Sequence, residues 1–194
     1  MTGKIHIFVS IFLQNMSSVK LHDKTFVPYI SNAELMKAVD QVAEKISKAH
    51  KDDPQPPVLL CVLNGALPFT AELLKRLDFP IELQTVRLAS YEGTDSVGPV
   101  KMIGGLSGEL KGRNVIICED IVDTGKTMVF LHSLLLEEGA ASVEICTMLL
   151  KPEVYKQPLE LDYVGMEIEN RFIVGFGLDY DQLGRNLNDI YILQ

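Results

Sequence analysis

Two runs, VLLCVL at residues 58–63 and NVIIC at 114–118, are apolar at nearly every position and show no alternation of oily and polar side chains. A strand with one wet face alternates with period two, so unbroken runs of this length belong to strands covered on both sides, as in a parallel sheet. Parallel neighbours need crossover connections, and helical patterns lie between the runs. SNAELMKAVDQVAEKISKAH, residues 31–50, opens with Ser31 and Glu34 in capping-box spacing and sets Leu35, Val39, Val42, Ile46 and Ala49 at helical intervals. KDDPQPP ends that pattern. After VLLCVL, Pro68 stands where a helix begins, with Phe69, Leu73, Leu74 and Leu77 on one face. GKTMVFLHSLLLEEGA reads as a further helix closed by Gly139, and SVEICTMLL as the strand after it.

The expected architecture is therefore α/β: a central, mostly parallel, twisted sheet flanked by helices, with ligands gathering beyond the carboxyl ends of the strands. IELQTVRLASY at 81–91 predicts a longer strand, and EGTDSVGPVKMIGG after it, with four glycines and a proline, a mobile loop or flexible hairpin. The tail segments LDYVGMEI, FIVGFGLDY and DIYIL carry too few helical signals for another crossover, which predicts a small, appended β-rich lobe built from terminal segments.

With 26 acidic against 18 basic side chains the net charge is -8, so the chain lacks the electrostatic footprint for nucleic acid or an anionic membrane. A small ligand fits better. Cys61, Cys118 and Cys146 sit among aliphatics without C-x-x-C spacing, which predicts buried free thiols and a reducing, cytoplasmic setting. IHIFVSIFL, residues 5–13, is far shorter than the roughly 20 residues of a membrane span and has no cleavage-site signature. MSSVKLHDKTF from Met16 looks like an ordinary cytosolic start. Residues 1–15 are expected to be an N-terminal extension, and residues 16–194 a single domain.

The chemistry concentrates in VIICEDIVDTGKT, residues 115–127. Asp123, Thr124, Gly125, Lys126 and Thr127 offer successive backbone N–H groups, a glycine and two hydroxyls at a helix N-terminus, an anion cradle. A Walker A loop needs glycine five places before Gly125, and Asp120 stands there, so the loop is too short to wrap a triphosphate. It suits one phosphate monoester. Thr-Gly-Lys-Thr after a strand is by itself often a plain helix start, but Glu119 and Asp120 just upstream suit the adjacent hydroxyls of a ribose. A sugar held by its diol, with its 5'-phosphate on the loop, accounts for both features.

Four hydrophobics, two acids, a hydrophobic pair, Asp and Thr-Gly form a pattern that resembles the phosphoribosyl-pyrophosphate signature of the type I phosphoribosyltransferases. LNGALPF, RLASYEGT, KMIGG, LLKPE, FIVGFGLDY and GRNLNDIYIL follow in an order similar to that of the hypoxanthine-guanine phosphoribosyltransferases, from about Val19 onward. The resemblance implies transfer of ribose-5-phosphate from phosphoribosyl pyrophosphate to N9 of a 6-oxopurine, with Mg2+ as cofactor and a homodimer or homotetramer as assembly. It makes Asp123 the catalytic group that relays a proton at N7. It implies purine contacts from Lys151 (a donor to O6), Phe172 (stacking), Ile173 (backbone) and Asp179. Pyrophosphate falls to Asn64, Gly65 and Arg185, the metal to Asp179 with Glu119 and Asp120, and the lid over the site to the segment opened by Ser90 and Tyr91. Arg87 is a candidate for subunit contacts. One departure stands out: the family usually has Lys-Gly, often with a cis peptide bond, where this chain has Asn64-Gly65.

Three other readings compete: a xanthine-preferring sibling enzyme, a regulator that senses the same ligand without turnover, and a P-loop NTPase. The acidic balance opposes a nucleic-acid-binding regulator, and Asp120 opposes the NTPase.

Overall fold

The capping box expected at Ser31 forms: the Ser31 hydroxyl donates to Glu34 Oε2 (2.7 Å), which also accepts the Ser31 N–H (3.0 Å). This computed structural model describes residues 17–93, 96–106 and 108–194, so the expected extension at 1–15 lies outside the described residues. In chain order the elements are β1 (Val19–Leu21), β2 (Lys24–Ile30), α1 (Asn32–His50), β3 (Val58–Leu63), α2 (Leu67–Leu74), β4 (Glu82–Gly93) and β5 (Ser96–Gly105). There follow β6 (Asn114–Val122), α3 (Lys126–Glu137), β7 (Ser142–Leu150), β8 (Tyr163–Glu167), β9 (Ile173–Val174) and β10 (Ile190–Leu193). Leu35, Val39, Val42 and Ile46, the periodic face of α1, are buried.

The chain divides into two compact units, Ala38–Asn170 and a second that joins the N-terminal residues through Lys37 to Arg171–Gln194. The larger unit carries a six-stranded sheet in the order β5-β4-β3-β6-β7-β8, parallel throughout except for the β4–β5 hairpin. Its core is made by the apolar runs themselves: Val58, Leu60 and Val62 of β3 and Val115 and Ile117 of β6 pack with Met128, Leu131 and Leu135 of α3. Cys61, Cys118 and Cys146 are buried free thiols, and burial pushes Cys61 up to about 11. The smaller unit holds an antiparallel sheet in the order β1-β2-β10-β9. Among the described residues no helix is long and apolar enough to cross a membrane.

Two expectations need correction. LDYVGMEI does not join the small lobe: β8 extends the central sheet, parallel to β7 with Cys146 opposite Tyr163 and Leu150 opposite Glu167. An irregular connection through residues 151–162 makes that crossover, so the lack of helical signal misled. Second, β6 does not stop at residue 118; it runs to Val122, with Glu119 opposite Thr147 and Val122 opposite Leu150, because β7 is long enough to pair with it. Glu119 and Asp120 thus stand within a strand. The glycine-rich stretch after β4 takes the hairpin form, the second of the two expected, pairing antiparallel with β4 over Ser96–Gly105, with residues 94–95 outside the described part.

Candidate active site

Strand β6 delivers the acids and then breaks. The chain turns through Asp123, Thr124 and Gly125 into α3, with Gly125 at φ 76°, a left-handed conformation that glycine adopts without steric penalty. No side chain caps this helix start, so the N–H groups of its first turn keep their capacity for an outside acceptor. Glu119, Ile121, Val122, Asp123, Thr124, Gly125, Thr127 and Met128 line a cavity of about 110 Å³. The loop and Glu119 therefore address one space. Burial, reinforced by the neighbouring Asp120 carboxylate, holds the Glu119 carboxyl well above the usual range.

Asp120, whose carboxylate neighbours that of Glu119, also stands over Gly65: a Cβ added there would lie 2.6 Å from Asp120 Cγ. Asp120 Oδ1 also accepts the Ile121 N–H (2.8 Å). Gly65 follows β3, and the Leu63–Asn64 peptide bond is cis. The turn expected to hold pyrophosphate and the acid expected to hold ribose are thus packed together.

Lys151 follows β7 directly, is only 9% exposed, and places Nζ 3.2 Å from Asp123 Oδ2. Two residues given separate roles in the sequence form an ion pair. Residues Tyr155 and Gln157, which carried no sequence signal, pack against Gly125, and Gln157 Nε2 donates to the Thr124 carbonyl (3.0 Å).

In the smaller unit Phe172 is 44% exposed and meets Tyr180 edge to face (centroids 5.8 Å, 89°) and Phe26 at 6.0 Å. Lys24 Nζ stands 4.3 Å from the Tyr180 centroid and 5.4 Å from that of Phe172. Ile173 is buried in β9, opposite Ile192. Asp179 and Arg185 are paired, Oδ1 to Nη2 at 2.6 Å, and Arg185 Nη1 donates to the Gly177 carbonyl (2.7 Å). Ser90 and Tyr91 belong to β4, with Ser90 opposite Val100.

Among the described residues no three His, Cys, Asp or Glu side chains are grouped closely enough to hold a metal ion by themselves. Glu119, Asp120 and Asp179 are therefore not a protein cage. Hard carboxylate oxygens still suit Mg2+, which commonly completes its shell with ligand phosphate and water. The raised Glu119 carboxyl, unmatched by a cationic partner in the cavity lining, fits such a role.

The phosphoribosyl transferase domain family matches residues 31–181. Among curated proteins, the hypoxanthine-guanine phosphoribosyltransferase of Streptococcus thermophilus (strain CNRZ 1066) is 45% identical over 139 residues, 71% of this chain and 77% of the relative. That of Lactococcus lactis subsp. lactis (strain IL1403) is 39% identical over 166 residues, 85% of this chain and 89% of the relative. A solved hypoxanthine phosphoribosyltransferase from Staphylococcus aureus superposes with a TM-score of 0.80 at 31% identity, covering 86% of this chain and 90% of the other. The Trypanosoma cruzi hypoxanthine phosphoribosyl transferase gives 0.82 at 30% identity, covering 91% and 95%.

Proposed function

The chain belongs to the hypoxanthine-guanine group of the type I phosphoribosyltransferase family, and on that premise we propose how its residues divide the reaction. It is a purine-salvage transferase that joins a 6-oxopurine to the ribose-5-phosphate of phosphoribosyl pyrophosphate and releases pyrophosphate. What most supports the division of roles is the cavity shared by Glu119, Asp123, Thr124, Gly125 and Thr127.

The uncapped first turn of α3 and the Thr124 and Thr127 hydroxyls hold the 5'-phosphate, and Glu119 and Asp120 hold the ribose hydroxyls. As N9 bonds to the anomeric carbon and the bond to pyrophosphate breaks, Asp123 takes the proton shed at N7. Lys151 donates to the purine O6, and adenine, with an amino group there, leaves that buried donor facing another donor. Phe172 offers a stacking face and Ile173 a backbone edge to the base. Gly65 and Arg185 bind pyrophosphate; Asn64 contributes a neutral amide where the family usually has a lysine. Asp179 and, in the larger unit, Glu119 and Asp120 are the carboxylates that would hold Mg2+, which would supply positive charge to offset the leaving diphosphate. The β4–β5 hairpin, opened by Ser90 and Tyr91, closes over the site and excludes water. The active form is a cytoplasmic homodimer or homotetramer.

The test is to incubate purified protein with phosphoribosyl pyrophosphate, magnesium and, in turn, hypoxanthine, guanine, xanthine and adenine, and to follow nucleotide and pyrophosphate. IMP and GMP should form and AMP should not. Binding without any nucleotide product would leave a ligand sensor as the answer, and xanthine as the best substrate would leave the sibling enzyme.

A further inference from the structure

The turn after β7 reaches back to the loop after β6. The Lys151 N–H donates to the Val122 carbonyl (3.0 Å), and the Lys151 carbonyl accepts the N–H groups of Val154 and Tyr155 (3.1 Å each). This curl brings Tyr155 and Gln157 against Gly125: a Cβ added to Gly125 would lie 2.8 Å from Tyr155 Cδ2 and 2.9 Å from Gln157 Cγ. The Tyr155 ring packs on the core of its unit, and its hydroxyl donates to the Leu159 carbonyl. The bracket is thus anchored from behind.

Gln157 acts on one particular peptide. Its Nε2 donates to the Thr124 carbonyl (3.0 Å), and that carbonyl shares a peptide plane with the Gly125 N–H. In a trans peptide the two point in opposite directions, so a carbonyl held toward Gln157 turns the Gly125 N–H away from it. Gly125 cannot fix this plane alone, having no side chain, a left-handed φ of 76° and no capping partner. An amide cradle binds an anion well only if its N–H groups are aimed beforehand.

We propose that Tyr155 and Gln157 are positioning residues for the phosphate loop, with Tyr155 the wall behind Gly125 and Gln157 the tether that orients the Gly125 amide. This rests on the assignment of Asp123–Thr127 to the 5'-phosphate. Because the same turn begins at Lys151, it also ties the purine donor to the phosphate cradle.

Steady-state kinetics with saturating magnesium test it, using Gln157→Ala, Gln157→Glu, Tyr155→Ala, Tyr155→Phe and, for the loop itself, Thr127→Ala. Loss of one neutral hydrogen bond predicts a KM for phosphoribosyl pyrophosphate raised about three- to tenfold in both Gln157 variants. Their kcat and hypoxanthine KM should stay within about twofold of the parent. Tyr155→Phe, which keeps the ring, should behave as the parent where Tyr155→Ala does not. An unchanged KM in the Gln157 variants while Thr127→Ala raises it would overturn the proposal and leave the loop assignment standing. Lower melting temperature and kcat without a KM shift would likewise overturn it, marking the bracket as merely structural. An unchanged KM in Thr127→Ala would remove the loop assignment and this inference with it.

Discussion

The Lys151 ammonium and the Asp123 carboxylate are 3.2 Å apart, one following β7 and the other following β6. The strands on which they ride are parallel neighbours paired up to Val122 and Leu150, so the two side chains leave the sheet at the same level. A buried lysine gains a counter-charge, and the carboxylate proposed to take the purine proton is held beside the lysine proposed to read O6. Under that proposal, recognition of the base and proton transfer are mechanically linked.

Asp123→Asn keeps an acceptor for Lys151 and removes the base. Turnover should fall by about 10²–10⁴-fold, while the KM for phosphoribosyl pyrophosphate changes far less, because the loop amides are untouched. Steady-state kinetics against both substrates read the split, and unchanged turnover would remove Asp123 from the chemistry.

Gly65→Ala places a methyl group against the Asp120 carboxylate, with Cγ 2.6 Å away. The carboxylate must swing aside. We expect kcat/KM for phosphoribosyl pyrophosphate to drop by about tenfold or more with little change in melting temperature, since the collision is with a side chain and not the core. Combined with Asp120→Ala it should add little to the loss, because both changes disable the same group. Additive losses would mean that Gly65 and Asp120 act separately.

His50 predicts a pH dependence of stability. Its Nδ1 meets Asp53 Oδ2 and its Nε2 meets Glu144 Oε2, each at 2.8 Å, and Tyr163 donates its hydroxyl to Glu144 (2.7 Å). The hydrogen bond to Glu144 chiefly, opposed by burial, lifts His50 from 6.5 to about 8. A folded value above the unfolded one gives stabilisation that is complete below pH 6.5 and is lost as pH rises through about 8. The contribution is about 2 kcal/mol at most. On the acid side, Asp53 and Glu144 are held below their ordinary values by His50, so their share disappears as pH falls through those lowered values. Thermal melting between about pH 6 and pH 9 should show the alkaline decline, and His50→Gln should flatten it. A parent curve as flat as the variant's would refute the linkage.

Asp179 is paired with Arg185 at 2.6 Å. Removing magnesium with a chelator should abolish turnover, and adding it back should restore activity. Asp179→Asn should raise the magnesium concentration needed for half-maximal rate by about tenfold or more, since a charged oxygen ligand becomes neutral. It also loosens Arg185, so pyrophosphate inhibition should weaken in parallel. An unchanged magnesium requirement would show that Asp179 is no ligand.

Much of the secondary structure was legible in local patterns. The capping box at Ser31, the unbroken run VLLCVL and the TGKT turn each state their conformation within a few residues, because caps, strand burial and helix starts depend on near neighbours. The place of β8 was not legible. A crossover without a helix carries no periodicity, and whether a short strand joins one sheet or another depends on which edge is open to it.

By itself the chain determined a buried parallel sheet, an acid pair at the end of an apolar run and a glycine turn at a helix start, all consequences of hydrophobic spacing and backbone preference. Only the tertiary structure decided that Glu119 shares the loop's cavity while Asp120 covers Gly65, that Lys151 meets Asp123, and that Tyr155 and Gln157 brace Gly125. Lys151 and Asp123 are 28 positions apart along the chain, and Gln157 and Thr124 are 33. Contacts of that kind follow from strand register and packing, which no local window of sequence contains.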